Sequence, residues 1–253
     1  MLVTAPGADG TAITGVTAAL LQAGAKVTGQ AELQPLFFGT SASTQNSLTT
    51  EARAVAPPGL TLNVQTAQPN TDPHIAGQQE AAQVIAPALV TKSGGTDLPT
   101  QETRAIIDGF ALQGFMHMNY ASPATALTQA TLAVVIIPAT PPASGADPAN
   151  LALISVAQQL GVSGRGVVLA GSLPGSGPGS AIDELINGST GVHLSSVDDV
   201  GAEVGQIEVA QALSLWLTTH KPTAFGVLPG AVPSPAPTPT ASPTPPAKNK
   251  SRG

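Results

Sequence analysis

The sequence predicts an α/β domain: a mostly parallel sheet of about five or six strands with helices on both faces, followed by a disordered Pro-rich tail. Three observations carry this expectation. Leu132 to Ile137 is an unbroken apolar run rich in β-branched side chains, bounded by Thr131 and Pro138. A strand without polar alternation is covered on both faces, as in a parallel sheet between helical layers. The opening residues then read as strand, loop, helix, strand, the unit from which doubly wound sheets are built. Finally, the composition changes abruptly at about Pro229 to Pro-Ser-Pro-Ala-Pro-Thr-Pro-Thr, which cannot supply a core. Residues 1–228 are therefore expected to form one domain and residues 229–253 a spacer or disordered end.

Taken in order, Leu2–Thr4 is a first strand, and the loop Ala5–Gly10 leads into a helix at Thr11–Leu21 that stops at Gly24. Lys26–Leu33 is the second strand. Helices follow at Thr44–Val55, broken by Pro57-Pro58-Gly59, at Ile75–Leu89, and at Thr100–Gln113, where Thr100 is placed to cap and Glu102 sits in the first turn. Phe115–Tyr120 is the third strand and Leu132–Ile137 the central one. A helix at Pro148–Leu160, a buried strand at Arg165–Ala170, a short helix at Ala181–Ile186, a last strand at His193–Val197 and a last helix at Val204–His220 complete the domain.

Composition excludes several functions. The chain carries a net charge of −6, and three of its nine basic residues (Lys248, Lys250, Arg252) lie in the tail. Nucleic-acid binding needs clustered Lys and Arg, so it is excluded, and an anionic lipid surface is disfavoured likewise. With no cysteine there are no disulfides, thiolate metal sites or cysteine nucleophiles. No run of about 18 apolar residues is present to span a bilayer as a helix. Because Met1 opens directly onto a strand, the chain is expected to be preceded by further sequence.

Candidate chemistry is sparse. Met116-His117-Met118 combines thioether and imidazole donors suited to Cu(I), the possible cofactor or cargo; on a strand, however, the methionines face one way and His117 the other, so core packing is the simpler reading. His74, His193 and His220 are isolated and lack metal-ligand spacing. Gly171–Ser180 lies between a buried strand and a helix, where an α/β sheet can hold phosphate, but it lacks a P-loop lysine and contains two prolines. A flexible connection is the plainer reading. Ser195-Ser-Val-Asp198-Asp199 with Glu203 precedes a helix, which reads as capping and dipole compensation. G-x-S-x-G is absent, and no catalytic constellation emerges, so no enzyme is expected.

The stretch Leu194–Leu213, Leu-Ser-Ser-Val-Asp-Asp-Val-Gly-Ala-Glu-Val-Gly-Gln-Ile-Glu-Val-Ala-Gln-Ala-Leu, resembles the C-terminal signature of the actinobacterial copper transport protein B (MctB) family. Val3–Asp9, Gln22–Gly29, Gly109–Phe115, Ala133–Ile137 and Gly166–Ser172 resemble it in the same order. The resemblance covers about residues 2–228, thinly over 34–100. It implies a cell-envelope protein with a role in copper efflux or tolerance and an outer-membrane association; the absence of a catalytic constellation makes that role non-enzymatic. It also implies a membrane segment and a coiled coil ahead of the soluble domain. Expected partners are a copper ion and other envelope proteins or further copies of the chain. The alternative is an envelope interaction module that binds no copper directly.

Overall fold

A computed structural model describes residues 1–62, 73–92, 98–123, 126–140, 147–187 and 194–232. These form a seven-stranded sheet in the order β3-β2-β1-β4-β5-β6-β7, with β3 alone antiparallel. The strands are β1 (Leu2–Thr4), β2 (Gly29–Leu33), β3 (Met116–Tyr120), β4 (Leu132–Ile136), β5 (Gly166–Ala170), β6 (Ser195–Val197) and β7 (Ala224–Phe225). The helices are α1 (Gly10–Gln22), α2 (Ala42–Val55), α3 (Ala76–Leu89), α4 (Thr100–Leu112), α5 (Pro148–Ser163), α6 (Ala181–Asn187) and α7 (Glu203–Thr219).

The α/β class and the parallel sheet are as expected. The apolar run does become the central strand: β4 is fourth in the order, and β5 beside it is buried along its whole length. Alternation then assigns side chains to two layers. Val3, Ala133, Val135, Val167 and Leu169 face α2 to α6. Leu2, Val134, Ile136, Val168 and Ala170 face α1 and α7 through Val16, Leu20, Val209 and Leu213. With few aromatics available, the layers close mostly with Ala, Val, Leu and Ile. Where the helices lie flush on the sheet, burial of that kind is worth about 25 cal/mol per Å² of apolar area.

Several boundaries differ from expectation. The strand count is seven, because β7 has only two residues and no apolar run to announce it. β2 starts at Gly29, after Lys26 to Thr28 in irregular backbone. Thr100 does not cap α4; Pro99 takes the N-cap position, without a side-chain bond. Two N-caps that the sequence reading did not name are made by side chains: Asp9 accepts from Thr11 N at 2.9 Å and Asp147 from Ala149 N at 2.9 Å. Gly24, just past α1, has φ +84°.

The last crossover has an unusual course. From β1 to β2 the chain moves one way along the sheet, over the α1 face; from β4 to β5 it moves the other way, over the opposite face. Those two units share one hand. From β6 to β7 the direction is that of β4 to β5, but α7 lies on the α1 face, so this crossover has the opposite hand to the others. The chain then folds back, and Val232 N donates to Ala224 O at 2.7 Å on the outer edge of β7. The His193 position and residues 233–253 of the Pro-rich tail lie outside the described residues.

Candidate functional site

The direction of travel reverses between β1 and β4, which places the topological switch point at their carboxyl ends, where open α/β sheets hold ligands. A cleft of ≈ 330 Å³ lies there. Its walls come from four strand ends and from α5: Pro6 after β1, Pro35 and Phe38 after β2, Pro138 after β4, Gly175 after β5, and Asp147 at the start of α5. Four backbone N–H groups beside it bond within the protein. Ala5 N donates to Ile136 O, Ala8 N to Ala5 O, Ala139 N to Gly7 O and Asn150 N to Asp147 O.

The Gly171–Ser180 loop forms one side of this region, and its hydrogen bonds are internal too. Gly171 N donates to Val197 O, Ser176 N to Ser172 O, Gly177 N to Pro174 O, Ser180 N to Gly177 O, and Gly179 N to the Asp183 carboxylate. The Ser176 hydroxyl donates to Asp198 O, and Asn150 Nδ2 to Gly179 O at 2.7 Å. The loop is a hydrogen-bonded turn that seats α6 and β6, with the amides of Gly171, Ser176, Gly177, Gly179 and Ser180 engaged within the protein rather than aimed at a phosphate.

Met116, His117 and Met118 fall on edge strand β3 and split as strand alternation dictates. Met116 is buried in the core beneath α4, and Met118 packs at the margin of the same cluster. The methyl end of Met118 lies over Gly29, where an added Cβ would sit 3.1 Å away. His117 is exposed on the opposite face, with its Nε2 3.1 Å from Asn119 Oδ1 and Glu32 directly across the ladder. The three donors do not meet at a point. Sequence reading did not see that Met1 packs at the edge of the same cluster as Met116 and Met118, which puts all three methionines of the chain in one layer. Pairing of β2 with β1 on one side and β3 on the other places them on one face, and spacing along the chain carries no trace of it.

The acidic pair Asp198-Asp199 proves to be structural in a way the capping expectation missed. Asp198 is fully buried, and its two oxygens accept Val227 N and Leu228 N, each at 2.8 Å. It holds the segment after β7, while Ala202 takes the N-cap position of α7 without a side-chain bond. Asp199 bends back over Gly205 of α7. Burial raises its pKa above the usual carboxylate range, the charge of Asp198 adds to this, and a hydrogen bond with Glu208 acts the other way.

The model of one protein family, described as copper transport outer membrane protein, MctB, matches residues 1–235. The chain belongs to the MctB family. The match spans every described strand and helix of the fold, so the α/β sheet is the MctB domain itself rather than an appendage to it. Among curated proteins, no relative matches the chain. In this MctB domain no described helix is long and apolar enough to cross a membrane. Among the described residues, no group of three His, Asp or Glu side chains could hold a metal ion. His74 lies in a short turn at Pro73–Ile75, and His220 ends α7 in a left-handed conformation with φ +54°. Neither lies on the strand that carries Met116 to Met118.

Proposed function

We propose that this domain serves copper efflux or copper tolerance in the cell envelope without catalysing a reaction. The family match over residues 1–235 is the observation that carries the reading. The cleft chemistry supports its non-enzymatic part: the strand ends that would carry a nucleophile or a phosphate cradle carry Pro6, Pro35 and Pro138 instead.

A second reading has its own support. Met116 is packed in the core and His117 points the other way, so the triplet is poorly arranged to grip Cu(I) as a unit. On this reading the domain is an interaction module of the envelope and copper is handled elsewhere in the full-length protein. A Cu(I) titration against a competing chromophoric chelator separates the two. It is run on the wild type and on a variant with Met116 and Met118 changed to Leu and His117 to Gln. Stoichiometric binding lost in the variant supports direct copper handling. Absence of competition by the wild type supports the interaction module.

A further inference from the structure

We propose that the switch-point cleft binds a small apolar molecule carrying a positive charge, such as an arylalkyl ammonium. This goes beyond the copper reading and does not depend on it. The volume of ≈ 330 Å³ lies at the lower end of the range of ligand pockets. Phe38, Ile137, Leu153 and three prolines make its walls apolar, which suits a ring or a short hydrocarbon. The polar features then fix the sign of the charge.

Among the described lining residues, no side chain carries a positive charge to hold an anion. Pro6, Pro35 and Pro138 have no N–H to offer, and the amides of Ala5, Ala8 and Ala139 beside them bond within the protein. The N-terminus of α5, which would otherwise attract an anion, is closed by the Asp147 carboxylate itself. A cation meets the opposite situation. Among the described residues, Asp147 engages Ala149 N through Oδ1 alone, leaving Oδ2 as an acceptor at the rim. The exposed Thr140 is on the same wall. A bare metal ion does not fit, because Asp147 is the sole acidic side chain among the described lining residues. Charge and apolar body are therefore required together.

The test is an amide chemical-shift titration of the protein with 2-phenylethylammonium, 2-phenylethanol and 3-phenylpropionate. The ammonium is expected to bind saturably, with shifts at residues 5–8, 138–140 and 147–150, and the carboxylate not at all. Asp147→Asn keeps an oxygen for the Ala149 cap and removes the charge. It should weaken the ammonium on the order of tenfold, while leaving the alcohol unchanged. Ala149→Phe fills the cleft and should abolish binding of both. Should that variant fold poorly, Thr140→Trp fills it from the exposed wall. The proposal is overturned if no probe saturates, if the carboxylate binds as tightly as the ammonium, if Asp147→Asn leaves the ammonium unaffected, or if the folded filling variant binds like the wild type.

Discussion

Gly226 and Asp198 are locked against each other: a Cβ at Gly226 would fall inside the van der Waals envelope of the Asp198 carboxylate. Gly226 also sits at φ +130°, a backbone conformation that L side chains rarely adopt. Directly after it, Val227 and Leu228 donate to the two oxygens of that carboxylate. Gly226→Ala should therefore destabilise the domain by about 2 kcal/mol or more, combining steric conflict with backbone strain. Asp198→Asn leaves one oxygen for two donors and should cost about 1–3 kcal/mol. Urea unfolding followed by circular dichroism measures both. If either variant unfolds at the wild-type midpoint, the carboxylate does not hold this segment.

That same contact explains what the sequence could and could not announce. The central strand was legible because Leu132–Ile137 is long, apolar and covered on both faces, a pattern with few alternatives. β7 was not, because Ala224-Phe225 is too short for periodicity and is held by hydrogen bonds to Asp198 from beyond its end. The acids of Asp198-Asp199 read as a cap because carboxylates ahead of a helix usually are one. Only the chain's return past β6 shows that Asp198 serves β7 instead. At the candidate copper residues, alternation along β3 correctly separated Met116 from His117. The cleft was invisible, because its walls come from four separate strand ends and share no motif.

Asp199 gives the domain a pH dependence of definite sign. Its folded-state pKa is raised, chiefly by burial, above the ordinary value of 3.8. The folded state therefore holds a proton that the unfolded chain has already released. The stability contributed by that proton is complete below 3.8 and is lost as pH rises through the folded value. Asp199→Asn mimics the protonated form and should remove this part of the pH profile, raising the urea midpoint relative to wild type at neutral pH. Identical profiles for the two proteins would show that Asp199 does not titrate abnormally.

Arg53 and Glu80 join α2 to α3 by a forked pair, Nε to Oε2 at 3.0 Å and Nη2 to Oε1 at 2.8 Å. Glu80 is buried, whereas the Arg53 side chain is 65% exposed, so the carboxylate is the member that needs its partner. Arg53→Met should lower the thermal midpoint, because it strands a buried charge. The double variant Arg53→Met with Glu80→Met should recover much of the loss. A double variant no more stable than Arg53→Met would mean that the pair acts through packing of the arginine stem and not through its charges.

Met116 and His117 are neighbours in sequence with opposite expected sensitivities. Met116 fills the space between β3 and α4 near Phe110 and Phe115, so Met116→Ala should cost about 2–5 kcal/mol through a cavity. Met116→Leu conserves volume and should cost less than about 1.5 kcal/mol. His117→Gln alters an exposed face whose nearest polar contact is Asn119 and should shift stability by no more than about 0.5 kcal/mol. This ranking matters for the copper titration. If Met116→Leu retains stability and Met116→Ala does not, loss of Cu(I) binding in the leucine variant reports a lost thioether and not a lost fold. If His117→Gln destabilises as much as Met116→Ala, the outward placement of His117 is wrong, and the imidazole belongs with the thioethers after all.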